Sequence, residues 1–264
     1  MLTIKEIRKV QSLEEAYELN QKKTNRIIGG MLWLKMQTGN VNIAIDLSNL
    51  KLDTIEETDS EFSIGAMVTL RDLETNAALN EYTHNAVREA VRHIVGVQFR
   101  NLATVGGSIF GRYGFSDVLT VFMALDAYVE LHHAGIVPIS EFAKMPYDND
   151  VLVRIIVKKT PLACAYLSHR QTKTDFPVLA VAISHHHGKW QAVVGATPHR
   201  AAVIADENNI LFGGLNTEST KKFAQYVKET VKTDSNIRGS AAYRKHLAYV
   251  LTKRALSSIG GIDA

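Results

Sequence analysis

Two glycine pairs constrain this chain most: Ile28-Gly29-Gly30, closing a short apolar run, and Ala103-Thr104-Val105-Gly106-Gly107-Ser108 further along. Each reads as a turn that follows a β-rich segment. A residue without Cβ lets the backbone bend sharply and bring its N–H groups against a ligand that a side chain would hold away. Two such loops suggest opposite walls of one diphosphate site. Donors are expected from the N–H groups of Gly29, Gly30, Met31 and Leu32 on one wall and of Thr104, Gly106, Gly107 and Ser108 on the other. Buried phosphate is costly without donors, whereas a hydrogen bond to a charged group contributes about 1.5–3 kcal/mol, so four or five outweigh that cost. A valine at Gly106 or Gly107 is then expected to expel the ligand while leaving the fold intact.

The segments around the loops alternate between helix and strand. Ser12, with Glu15 three residues on, forms a capping box ahead of Leu13, Ala16, Tyr17 and Leu19. Arg26-Ile27-Ile28 is a short strand running into the first glycine pair. Alternation of Val41, Ile43, Ile45 and Leu47 predicts a strand, and Phe62, Ile64 and Ala66 predict another before a helix capped by Thr69. Ala86, Val87, Ala90, Val91 and Ile94 recur at helical spacing, predicting an amphipathic helix over 84–95. After Asp117 a helix and then a strand run to Val129, Pro138–Phe142 is a connector, and the β-branched run Val151–Val157 is a strand. Lys158-Lys159-Thr160-Pro161 marks a domain boundary. Beyond it, strands at 165–168, 178–183 and 190–195 form a smaller antiparallel sheet with a hairpin at His185–Lys189, and helices at 217–231 and 240–256 close the chain.

Composition removes several function classes. With 46 % hydrophobic and 22 % charged residues over 264 positions, this is an ordinary folded chain. A formal charge of +3 without a basic stripe gives no support for nucleic-acid binding. The one cysteine, Cys164, excludes an internal disulfide and a Cys-ligated iron–sulfur cluster, and fits a reducing cytoplasm. No apolar run approaches the ~18 residues of a membrane span, and Met1–Glu6 is no signal peptide, so a cytoplasmic location is expected. His132-His133 and His185-His186-His187 lack a third ligand at a defined spacing and read as structural or exposed. Cys164, in an apolar strand entry, reads as an inert thiol.

The extended motif Arg100-Asn101-Leu102-Ala103-Thr104-Val105-Gly106-Gly107-Ser108-Ile109, then Ser116-Asp117 and an apolar run to Ala127, resembles the flavin loop of the molybdenum hydroxylase flavoproteins. These are the FAD subunits or domains of xanthine dehydrogenase, carbon monoxide dehydrogenase and 4-hydroxybenzoyl-CoA reductase. Ser12–Ala16, Arg26–Gly30, Ile43–Leu47, Ile64–Thr69 and Arg238-Gly239-Ser240-Ala241-Ala242-Tyr243-Arg244 resemble the family's other landmarks in order, so the likeness runs end to end.

The resemblance implies an α+β fold. An FAD-binding domain of the p-cresol-methylhydroxylase type spans 1–160, as two α/β subdomains of about 1–55 and 56–160. A C-terminal flavoprotein domain of small antiparallel sheet and helices spans 161–264. It implies FAD held by Ile27, Ile28, Gly29, Gly30, Met31, Leu32, Ala103, Thr104, Gly106, Gly107 and Ser108, and by Ser116 and Asp117, the latter accepting ribityl or ribose hydroxyls. Leu152 and Ile94 would wall the isoalloxazine. No catalytic acid or base and no metal site is implied. The partners implied are a 2Fe-2S subunit, a molybdopterin-binding subunit, and NAD or another electron acceptor.

The chain departs from the family's pattern in three places. Met31 stands where a hydroxyl residue is usual, Ser108 where Asn is common, and Leu167-Ser168 where a lysine often lies near the flavin. The alternatives are an FAD-binding electron-transfer or assembly module without turnover of its own, and a stand-alone FAD-dependent oxidoreductase. The second is disfavoured by the small C-terminal domain.

Overall fold

The chain begins with a parallel β-α-β unit. Strand β1 (Leu2–Lys9), a helix at Leu13–Asn20, β2 (Arg26–Ile28) and β3 (Gly39–Asp46) form a three-stranded sheet with β3 between β1 and β2 and parallel to both. The Ser12 cap forms as expected, its Oγ accepting from Glu15 N at 3.1 Å, but the capping box does not close, because the Glu15 carboxylate accepts from Gln11 N, one residue before the cap, at 2.8 Å. Val10, Ala16, Ile43, Ile45 and Leu47 make its core. Strand β1 was not expected. Most of it lies exposed on the sheet edge, so it lacks the apolar alternation that marks a half-buried strand.

A second, five-stranded sheet follows, built from β4 (Ile55–Glu57), β5 (Glu61–Gly65), β6 (Ala127–Leu131), β7 (Gly135–Pro138) and β8 (Leu152–Lys158), in the order β4-β5-β8-β6-β7. The predicted strands near 62–66 and 151–157 are β5 and β8. Pro138–Phe142, expected as a connector, instead ends β7 and turns into a helix at Ile139–Phe142. Across β6 and β8, the registered pair Glu130 and Arg154 forms an ion pair at 2.7 Å.

The third sheet is antiparallel, ordered β12-β11-β10-β9, from β9 (Ala163–Arg170), β10 (Pro177–His186), β11 (Lys189–Gly195) and β12 (Ala202–Ala205). His187 and Gly188 make its tight hairpin with φ of +50° and +71°, the pair of positive φ angles that matches strand twist. Helices at Thr217–Thr230 and Ala241–Gly260 pack Phe223, Val227, Leu247 and Leu251 against Val178, Val181 and Ile183. The α+β architecture is therefore as expected.

The structure, a computed structural model, describes residues 1–262, which cluster into two compact units. One contains Met1–Asp72, Val97–Gly111 and Ala127–Val157; the other contains Leu73–Gly96, Arg112–Asp126 and the chain from Lys158 onward. Residues 73–96 and 112–126 thus pack with the C-terminal sheet. The helix predicted over 84–95 is confined to Ala86–Val91, starting at the left-handed Asn85 and ending at Arg92. Ala86, Val87, Ala90 and Val91 are all buried, as is the whole helix Asp117–Phe122, so both need enclosure rather than one covered face. The described residues contain no helix long and apolar enough to cross a membrane.

Candidate functional site

In the first unit the two glycine loops touch, and only glycine permits it. A Cβ on Gly30 would lie 1.8 Å from the Leu102 carbonyl oxygen, and one on Gly29 would lie 2.6 Å from Thr104 Oγ1. Asn25 sets the entry: it is buried, donates to Leu19 O at 2.8 Å and accepts from Ile43 N at 3.3 Å. Ile27 and Ile28 pair with Ile45 and Asp46 of β3. After the glycines Met31 adopts φ +58°, and its side chain packs on Ile28, Val41 and Ala44. This accounts for a thioether where a hydroxyl is usual: Met31 anchors the loop in a small core. Among the described residues, the backbone N–H groups of Gly29, Gly30, Met31 and Leu32 donate to no protein acceptor. A run of unspent backbone donors around a left-handed residue is the kind of segment that can cradle an anion. Trp33 stands beside it, edge-on to Phe99 at 5.5 Å.

The second loop differs from its expected form. It follows a helical turn at Val97–Arg100, and Gly106 and Gly107 lie inside a short helix, Val105–Ile109, with Thr104 as its N-cap. Most of the donors expected here are spent. Val105 N donates to Val68 O (2.9 Å), Gly106 N to Ala66 O (2.8 Å), Gly107 N to Thr104 Oγ1 (3.2 Å) and Ser108 N to Thr104 O (3.1 Å). The cause is a local antiparallel bridge between Thr69 and Thr104, in which Leu70 N also donates to Ala103 O at 2.8 Å. What remains toward Gly29 is the Thr104 hydroxyl, which accepts from Gly107 and keeps its own proton to donate.

The two glycines of this pair also differ from each other. A Cβ on Gly106 would meet Ala66 O at 2.8 Å, so a side chain there disturbs packing, contrary to the expectation that the fold would be untouched. Gly107 is exposed and meets only Thr104 Oγ1, at 3.2 Å.

In the second unit, Ser116 caps the helix Asp117–Phe122 by accepting from Leu119 N at 3.1 Å. Asp117, only 5 % exposed, does more than neutralise a helix start. Its Oδ1 accepts from the Tyr166 hydroxyl and from Arg170 Nη2, the latter at 2.6 Å. Burial raises the Asp117 carboxyl above its ordinary value, opposed by the Arg170 charge. Burial and the neighbouring carboxylate push the Tyr166 hydroxyl well up, keeping it a donor. Sequence reasoning missed Tyr166 and Arg170. The available signal was spacing: residues 166, 168 and 170 of one strand share a face.

Other expected residues have structural settings. Leu152 is 5 % exposed in β8, opposite Leu131. It neighbours Val153, whose carbonyl accepts from Ala66 N at 2.9 Å, and Ala66 in turn holds Gly106, so this strand supports the second loop from behind. His132 contacts Glu14, His133 stacks on Tyr17, His185 stacks on Trp190, and His187 contacts Asp126 at 2.8 Å. No group of three or more metal-ligating side chains occurs among the described residues. Cys164 is buried, donates to Thr83 O at 3.1 Å and has its thiol pushed up by burial to about 12, so it stays protonated.

Residues 4–160 match the family model of the FAD binding domain in molybdopterin dehydrogenase. The chain belongs to this family of FAD-binding subunits. Residues 165–259 of the flavoprotein match the CO dehydrogenase flavoprotein C-terminal domain. It is 25 % identical to the glyceraldehyde dehydrogenase medium chain of Sulfolobus acidocaldarius, with 95 % of this chain and 96 % of that one covered. To the nicotine 6-hydroxylase medium subunit of Paenarthrobacter nicotinovorans it is 23 % identical, covering 94 % and 95 %. In fold it is similar to carbon monoxide dehydrogenase from Hydrogenophaga pseudoflava, with TM-score 0.84, 23 % identity and 98 % of both chains covered.

The residues of this flavoprotein fit a dinucleotide. The cradle at Gly29–Leu32 supplies unspent N–H donors, Thr104 adds a hydroxyl, and a Cβ at either first-loop glycine would collide with the second loop.

Proposed function

We propose that the chain is the flavoprotein subunit of a xanthine dehydrogenase-like molybdenum hydroxylase. It accepts electrons from a 2Fe-2S subunit served by a molybdopterin-binding subunit and passes them to NAD or another acceptor, in the cytoplasm. The observation that carries this reading is the unspent N–H run of Gly29–Leu32 closed against the Thr104 hydroxyl. FAD, when bound, supplies the redox chemistry through its isoalloxazine. The chain's own work is positioning.

Gly29, Gly30, Met31 and Leu32 donate to the diphosphate, Thr104 donates its hydroxyl proton, and the exposed Gly107 leaves room for close approach. Ala103, Gly106 and Ser108 hold that wall through their internal bonds with Leu152 behind them, and Ile27 and Ile28 support the first wall from its sheet. Ser116 sets the helix start that carries Asp117, whose Oδ2 accepts a cofactor hydroxyl. The domain assignment that accompanies this reading is an FAD-binding domain at 1–160 and a C-terminal domain at 161–264.

The test is FAD binding by wild type and Gly107→Val, read by flavin fluorescence. Wild type is expected to hold FAD. Gly107→Val should lose it while its unfolding free energy moves by no more than about 1 kcal/mol, the scale of a helix-propensity change. A colourless wild-type protein with no affinity for added FAD, or a variant that stays yellow, overturns the assignment.

A further inference from the structure

Asp117 is unusual in how its hydrogen bonds are distributed. Two side-chain donors crowd onto Oδ1 and no side chain donates to Oδ2, the one further hydrogen bond to the carboxylate coming from the Asp117 backbone N–H. The donors are themselves immobilised. Tyr166 is 3 % exposed, and the Arg170 side chain 6 %. The Arg170 fork is pinned at two further points, Nη1 donating to Asp175 O at 2.5 Å and Nε to Ser168 Oγ at 3.3 Å. A guanidinium fixed this way cannot swing to cover the second oxygen.

We propose that Tyr166 and Arg170 are positioning residues for the cofactor: by saturating Oδ1 they fix the plane of the Asp117 carboxylate and present Oδ2 alone to a cofactor hydroxyl. This rests on the FAD reading above. A bond that only stabilised the fold would be served equally well by one donor on each oxygen. The observed arrangement instead preorganises the free oxygen, so the ligand does not have to pay for ordering the side chain.

The test is FAD titration of the full-length chain, followed by fluorescence, for wild type, Tyr166→Phe, Arg170→Lys, Asp117→Ala and the Asp117→Ala/Tyr166→Phe double variant. Melting of the FAD-free proteins provides the check on folding. Tyr166→Phe is expected to weaken FAD about tenfold, the scale of one lost hydrogen bond to a charged group. Arg170→Lys should weaken it less than Asp117→Ala does. In the Asp117→Ala background, Tyr166→Phe should change affinity by less than about twofold, because the group it acts through is gone. If Asp117→Ala does not fold, Asp117→Asn replaces it in the cycle, since the amide turns Oδ2 from acceptor into donor. Equal losses from Tyr166→Phe in both backgrounds, or no loss in the native one, overturn the inference while leaving FAD binding standing. A wild-type chain that takes up no FAD overturns the function and this inference together.

Discussion

At the scale of single residues, Asp117 meets two opposed forces, and their balance is measurable. Burial raises its carboxyl above the ordinary 3.8, and the Arg170 charge and the donated hydrogen bonds act in the other direction. With the folded value raised, the native state binds its proton more readily than the unfolded chain. The resulting stabilisation is complete below the unfolded value and is lost as pH climbs through the folded one. Asp117→Asn removes this titration. Urea unfolding of both proteins from pH 3.5 to 7 should therefore show the stability difference, wild type minus variant, falling from about pH 4 upward. A difference that grows with pH would mean that the ion pair outweighs desolvation. The same site shows what can be read from residues alone. Gly29 and Gly30 are legible because the absence of a side chain is itself the signal. Tyr166 and Arg170 are not, since they reach Asp117 across 49 and 53 residues and nothing local marks them. The spent donors of Gly106 and Gly107 depend on Ala66 and Thr104 in the same way.

At the scale of elements, the helix Ala241–Gly260 is held by a residue that its periodicity makes look ordinary. Leu247 and Leu251 announce the apolar stripe, and Ser240 caps the start by accepting from Tyr243 N at 3.1 Å. Arg244, one turn in, is nonetheless buried. It donates to the carbonyls of Val178 (2.9 Å), Ala196 (3.2 Å), Asp234 (2.7 Å) and Gly239 (2.6 Å), and to Asn236 Oδ1 (2.7 Å). The guanidinium thereby joins β10, the end of β11 and the loop before the helix. Arg244→Met keeps the volume but strands these acceptors, each costing about 1–3 kcal/mol when buried without a donor, so a loss of at least about 3 kcal/mol is expected in urea unfolding. Arg244→Lys, with one ammonium for a five-donor fork, should fall between. A loss under about 1 kcal/mol for Arg244→Met would show that water replaces the side chain. Elements that were legible are those with a sustained period: β3, β8, β10 and the two long helices. The ones missed, β1, β4, β7 and β12, are sheet-edge strands whose residues are largely exposed or half-buried, leaving little contrast for alternation to show.

At the scale of the whole molecule, the proposed relay requires an entry and an exit for electrons. The only cysteine in the 264 residues is buried and protonated, so no Cys-ligated cluster is held within them, and electrons that reach a bound flavin from such a cluster come from outside these residues. In the proposed relay the exit depends on an acceptor able to approach the flavin, and Leu167-Ser168 of β9 stand where the family resemblance implies a lysine. Neither side chain carries a charge, so the chain supplies no cation at that position to attract an anionic dinucleotide. Positioning and flavin chemistry must then suffice. FAD-loaded chain mixed with NADH in a stopped-flow cell should lose its visible flavin band in a single turnover, with a rate in the range of about 1–1,000 s⁻¹ that is typical of enzyme turnover. If NADH bleaches the flavin in this window, the relay runs through pyridine nucleotide without the lysine. A flavin that dithionite bleaches but NADH leaves yellow would assign a different acceptor or a module without turnover of its own. Replacing Ser168 by lysine would then separate those two: a gain of NADH reduction identifies a relay tuned away from NAD, and no gain identifies the module.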